Sequence, residues 1–121
     1  MAGDDLDALL VLDGASFEMA AGFLVEFKAR RTAPSAAKPH GVSYSLVLRR
    51  KEGGPPLVRF DNAHRAGRAK GRGRRGAHDH WHRSAEDPGR PYVFRGTSRL
   101  LGDFWREVKR ALDERGVPND L

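Results

Sequence analysis

From Val42 to Arg50 the side chains change character at almost every step. Val42, Tyr44, Leu46 and Leu48 are apolar, and Ser43, Ser45 and Arg49 between them are polar, with Val47 the exception. The stretch from Phe17 to Arg30 repeats the pattern: Phe17, Met19, Phe23, Val25, Phe27 and Ala29 alternate with residues that include Glu18, Glu26, Lys28 and Arg30. A period of two belongs to a strand with one buried face, because successive side chains of a strand point to opposite sides of the sheet. The chain must therefore build a sheet, and it needs something to cover the apolar side.

That cover is written at the C-terminal end. From Ser98 the apolar residues Leu101, Phe104, Trp105, Val108 and Leu112 fall at i, i+3, i+4, i+7 and i+11. This is the stripe of an amphipathic helix, expected over 98–115. Thr97 or Ser98 is the candidate N-cap, and Gly116 followed by Pro118 marks the C-terminal end. Leu6, Leu9, Leu10 and Val11 predict a short N-terminal helix capped by Asp4 or Asp5, ending at an Asp13-Gly14 turn. Gly22 divides the first alternating run into a hairpin over 15–31. Glu52-Gly53-Gly54-Pro55-Pro56 turns the second run back on itself as a hairpin over 42–61. His78 to His82 reads as a short extended segment, and Tyr92-Val93-Phe94 as an edge strand open to a second copy of the chain or another partner. The expected class is α+β: an antiparallel sheet of four to five strands, packed by one long C-terminal helix, with a short N-terminal helix. At 121 residues this is a single domain, 1–121.

Charge picks out one segment. Residues 62–76 hold Arg65, Arg68, Lys70, Arg72, Arg74 and Arg75 and no acid, with Gly67, Gly71, Gly73 and Gly76 spaced among them. Setting those six aside, the rest of the 22 basic residues equal the 16 acids, so the net charge of +6 belongs to this one stretch. It shows no periodicity, and a mobile basic Gly/Arg loop is expected at 63–77. Such a loop serves either to bind a polyanion or merely to solubilise. The chain has no cysteine, which excludes disulfides and thiolate metal sites and fits a reducing cytoplasm. Its first residues are acidic where a secretory signal would be basic, and no apolar run reaches membrane-spanning length, so a cytoplasmic protein with no membrane partner is expected.

Four of the five histidines flank the basic segment: His64 before it, and His78, His80 and His82 after it. In an extended segment His78, His80 and His82 share one side, and Asp79, Trp81 and Arg83 the other. Imidazoles titrate near neutral pH, so two on one side can serve as general base and general acid on a phosphodiester. They can also hold a divalent metal with Asp61 or His64. The acid–base use is favoured, because the surroundings are cationic and a divalent ion wants carboxylates. RNA carries its own nucleophile in the 2′-hydroxyl, so neither metal nor cofactor is called for. Arg83, or an arginine of the loop, would then stabilise charge on the phosphate. The candidate catalytic residues are His80, His82, Arg83, His64 and Asp61, and the six loop cations are the candidate nucleic-acid contacts. A non-catalytic nucleic-acid-binding module is the competing reading, and a metal-dependent nuclease a third. Asp61 and Asn62 can equally be satisfying local backbone at a strand end. Trp81 and Tyr92 can stack on bases or pack in the core. His40, between Pro39 and Gly41, looks structural.

Taken together, HGVSYSLVL (40–48), RFDNAH (59–64), HDHWHR (78–83), PYVF (91–94) and LLGDFWREV (100–108) resemble the TumE family of toxin-antitoxin toxins, over about residues 40–116. The resemblance implies a small cytoplasmic toxin that acts on RNA and is neutralised by a cognate antitoxin, itself DNA-binding. The residues matching the family's polar blocks are Asp61, Asn62, His64, Asp79, His80, His82 and Arg83. His80 and His82 then stand as the acid–base pair. The arginine-rich insert between His64 and His78 exceeds the family's short spacer, so RNA binding by the insert is a reading of this sequence alone.

Overall fold

The computed structural model describes residues 2–33, 41–62, 79–84 and 86–121. Helix α1 (Ala2–Val11) is followed by strands β1 (Ser16–Met19), β2 (Phe23–Arg31), β3 (Val42–Arg50), β4 (Val58–Asp61), β5 (Asp79–His82) and β6 (Arg90–Tyr92), and then by helix α2 (Thr97–Glu114). The strands are hydrogen-bonded in chain order, each antiparallel to the next. The result is a meander with no crossover, the topology that local hairpins build. The sheet has six strands, where the sequence led us to expect four to five. The difference is Asp79–His82, which pairs on both sides and so joins β4 to the edge strand. That edge strand is Arg90–Tyr92, two residues ahead of the expected Tyr92–Phe94; Pro91 within it is tolerable because an edge strand can spare an N–H.

The alternation does what it predicts. Phe23, Val25, Phe27 and Ala29 of β2, Val42, Tyr44, Leu46 and Leu48 of β3, and Val58 and Phe60 of β4 are buried together. They meet Leu100, Phe104, Val108, Ala111 and Leu112 of α2 and Leu9 of α1 in one core. Phe104 is its centre, with its ring edge-on to Phe27 at 5.7 Å and to Phe60 at 5.9 Å. The buried stripe of α2 is centred on Leu100, Phe104 and Val108, while Leu101 and Trp105 are only half-buried. Trp105 packs beside Phe27 and reaches Phe17 of β1, the strand at the opposite edge, at 6.3 Å.

The ends of the helices correct two expectations. Helix α1 begins at Ala2, so Asp4 and Asp5 fall within it rather than capping it. Helix α2 is preceded by Gly96, whose φ of 108° suits glycine, and neither Thr97 nor Ser98 caps it because Thr97 is already helical. Its other end is as expected. Gly116 takes φ 71°, its N–H donates to the Asp113 carbonyl at 3.0 Å, and the Val117 N–H donates to the Leu112 carbonyl at 2.9 Å. This is a Schellman cap, and the buried Val117 supplies its hydrophobic contact. The loop from Thr32 on and the basic segment 63–77 lie largely or wholly outside the described residues, as do His40, His64 and His78.

Candidate active site

Both described helices lie on one side of the sheet, so the polar side chains of the alternating strands face away from them. Register decides which of these meet. Between β4 and β5, Asp61 is paired with His80, and Arg59 with His82. Residues directly opposite on antiparallel strands have Cβ atoms ~5 Å apart. Asp61, His80, Arg59 and His82 therefore form a square on the open face of the sheet. Phe60 and Trp81, between them in sequence, point to the helix side and stack at 5.4 Å.

Arg59 ties the square together. Its Nε lies 3.0 Å from Asp61 Oδ2, an ion pair whose N–H is poorly aimed at the oxygen and makes no proper hydrogen bond. Its Nη2 lies 3.0 Å from His82 Nε2. A guanidinium can only donate, so Nε2 of His82 accepts. The ring proton then sits on Nδ1, which donates to the Asp87 carbonyl at 2.9 Å. His82 is held at both nitrogens.

The turn after β5 is built around Asp87. One carboxylate oxygen accepts from the Arg83 N–H at 3.0 Å and from Arg90 Nε at 2.8 Å, and the other from the Gly89 N–H at 2.8 Å. These donors, the Arg83 and Gly89 backbones foremost, hold its carboxyl well below the usual carboxylate range. Gly89 belongs to the same device. Its φ is 120°, and a Cβ there would stand 3.0 Å from Cε1 of His82. The imidazole lies against bare backbone. A hollow of about 50 Å³ opens beside it, lined by Pro56, Arg59, His82, Ser84 and Asp87.

The strands are anchored from the buried side. Asn62 is fully buried; its Oδ1 accepts from the Tyr44 N–H at 2.9 Å and its Nδ2 donates to the Val42 carbonyl at 2.7 Å. The side chain thus extends the β3–β4 ladder past the last strand residue, which is the structural use of Asn at a strand end. Asp79, also buried, accepts from the Tyr44 hydroxyl at 2.6 Å. Burial first, and the Asp79 carboxylate second, raise the Tyr44 phenol far above its ordinary range. Tyr44 therefore fixes the end of β4 through its backbone and the start of β5 through its hydroxyl.

Of the residues singled out from sequence, Asp61, His80 and His82 are brought together. Arg83 is not: it lies in the turn beyond β5, its side chain is exposed, and its carbonyl accepts from Arg110 of α2 at 3.0 Å. His64 and the cations Arg65, Arg68, Lys70, Arg72, Arg74 and Arg75 lie outside the described residues. In the chain their segment joins the end of β4 at Asp61 to the start of β5 at Asp79, and these two strands are paired. The strand ends that the segment joins, Asp61 and Asp79, lie at the corner of the sheet that carries the square. Trp81 and Tyr92 are not on the open face. They line, with Phe60, Asp103, Arg106 and Glu107, a cleft of about 210 Å³ against α2. There the Tyr92 hydroxyl donates to Asp103 at 2.6 Å, and the Arg90 guanidinium lies over Trp81. Sequence reasoning missed Arg59, Asp87 and Gly89. The alternation puts Arg59 on the side of Asp61, which was signal enough to include it; the other two act through a turn that no periodicity reveals.

Among the described residues no group of three or more His, Asp or Glu side chains is arranged to hold a metal ion, and no helix is long and apolar enough to cross a membrane. The square offers a titratable imidazole beside a carboxylate and a guanidinium, the parts that proton transfer at a phosphodiester requires. No curated protein and no solved structure matches the chain. The family described as Toxin TumE matches residues 13–112, which span the whole sheet and most of α2, and the chain belongs to that family.

Proposed function

We propose that this toxin is a ribonuclease that cuts RNA in the cytoplasm by metal-independent acid–base chemistry on the open face of its sheet. The supporting observation is the square itself: Asp61 opposite His80 and Arg59 opposite His82, at the corner where the segment with all six excess cations leaves and returns. The cations of that segment, Arg65, Arg68, Lys70, Arg72, Arg74 and Arg75, hold the backbone of the RNA. His80 takes the proton of the 2′-hydroxyl, with Asp61 orienting the ring. The 2′-oxygen attacks phosphorus, and the bond from phosphorus to the 5′-oxygen breaks, leaving a 2′,3′-cyclic phosphate. An entering phosphate draws Arg59 onto its oxygens, where the guanidinium stabilises the developing charge. That movement frees Nε2 of His82 to take up a proton from solvent and deliver it to the leaving 5′-oxygen as its bond to phosphorus breaks. Membership of a toxin family implies a cognate antitoxin, and a DNA-binding antitoxin is the partner that we propose.

A second reading has one observation in its favour. The ring of His82 is held at both nitrogens, as a purely structural imidazole would be. In that case the chain binds RNA without cutting it. Labelled single-stranded RNA incubated with purified protein, with and without a chelator, separates the two. Cleavage that persists in the chelator and falls at least 10²-fold in His80→Ala and in His82→Ala, as the loss of a general acid or base requires, is the expected result. Salt-sensitive binding with no cleavage under any condition establishes the second reading. Cleavage abolished by the chelator overturns the metal-independent mechanism.

A further inference from the structure

The open face carries more charge than the square uses. Its two acids on the central strands are occupied: Glu26 receives a two-pronged contact from Arg49 at 2.9 and 3.0 Å, and Asp61 pairs with Arg59. Lys28 and Arg30 of β2 are exposed, and among the described residues neither has an ion-pair partner. They are two apart on one strand, so both face the open side, ~7 Å from each other.

Register links them to the site. Lys28 is paired with Ser45, Ser45 with Asp61, and Asp61 with His80. Arg30 is paired with Ser43. A row therefore crosses four strands from a cation, past a hydroxyl, to the carboxylate and imidazole of the square. At ~4.8 Å between strands, Lys28 stands ~14 Å from His80, about two nucleotides along the chain. Apart from Leu24 and Val47, the side chains of β2, β3 and β4 on this face are charged or hydroxylic.

We infer that Lys28 and Arg30, with Ser43 and Ser45 between them and the square, form a phosphate-binding track that carries single-stranded RNA across the sheet at right angles to the strands. The track rests on the reading of the square as the cleavage site, but it stands as a binding surface without it. Its contacts are to phosphate and hydroxyl groups, so it reads backbone and not base sequence. It reaches the square from the β2–β3 side, by way of Ser45 and Asp61.

The test uses the full chain and its Lys28→Gln/Arg30→Gln double variant. The affinity probe is a short single-stranded RNA with 2′-O-methyl groups, which has no free 2′-hydroxyl to attack; unmodified RNA of the same sequence reports cleavage. Two lost phosphate contacts should weaken binding roughly tenfold and lower the slope of log affinity against log salt by about 1.4. KM should rise with kcat kept, and the melting temperature should not move because both side chains are exposed. Weakened binding of the double variant by a chain that cleaves nothing retires the nuclease reading and keeps the track. Unchanged affinity and salt slope, with cleavage intact, overturn the track and leave the nuclease reading standing. Unchanged RNA affinity with weakened antitoxin binding also overturns it, and assigns the two cations to an acidic segment of that partner.

Discussion

The imidazole of His82 shows how much of a site can rest on one missing methyl group. The ring lies against the backbone of Gly89, at a φ of 120° that disfavours any other residue. Gly89→Ala adds both a 3.0 Å contact with Cε1 and backbone strain. We expect it to lower stability by ~1–3 kcal/mol and to displace the ring from Arg59, so that RNA cleavage falls in a protein that still melts cooperatively. Denaturant titration beside a cleavage assay checks both parts. Asp87 steadies the same ring through its carbonyl, and its carboxylate titrates lower in the folded chain than in the unfolded one. Its contribution is therefore complete above the unfolded value near 3.8 and is lost as pH falls below it. Melting temperature against pH should drop on the acid side in the wild type, and Asp87→Asn should make that drop shallower. At neutral pH the turn does not act as a switch.

At the scale of elements, the hairpins explain most of the geometry. The turn between β1 and β2 puts two successive residues in the left-handed region, Ala21 at φ 63° and Gly22 at φ 80°. Glycine accepts this without cost, whereas alanine is held there at ~1–2 kcal/mol. Ala21→Gly should stabilise the protein by roughly 0.5–1 kcal/mol after its own entropy cost, read as a higher midpoint in denaturant with the same slope. A lower midpoint would show that the turn is not limiting. The β4–β5 pair has no tight turn of this sort, since 17 residues, 62–78, separate its strands. Its register depends instead on Asn62 and Asp79, both held by Tyr44. An arrangement in which Arg59 faces His82 and Asp61 faces His80 is thus set by a tyrosine on a third strand.

Across the sheet, α2 with α1 beside it covers one side, and among the described residues no helix lies on the other. Phe104 joins the halves, touching Phe27 of β2 and Phe60 of β4. Phe104→Ala should cost ~3–5 kcal/mol, and sheet and helix should unfold together. Loss of helix signal alone, with the sheet's hydrogen-exchange protection intact, would mean that α2 is an appendage. Charge is divided in the same way. The excess cations fall in the sequence between β4 and β5, while Lys28 and Arg30 stand on β2, two strands from β4.

Sequence alone determined the strands of the two hairpins, the long helix and its glycine cap, because periods of two and 3.6 and a left-handed C-terminal residue are local properties. It also grouped the charge and the histidines. It did not determine that Asp79–His82 would join the sheet as a fifth strand, nor that Arg59 would take the place beside His82 that Arg83 seemed to offer. Arg83 follows His82 directly in sequence, but the turn around Asp87 carries it off the sheet. Arg59 is 23 residues away and reaches the ring because antiparallel pairing sets the two side by side. Register is a long-range choice, fixed by buried hydrogen bonds to Tyr44 and by stacking of Phe60 on Trp81, and only the folded chain makes it.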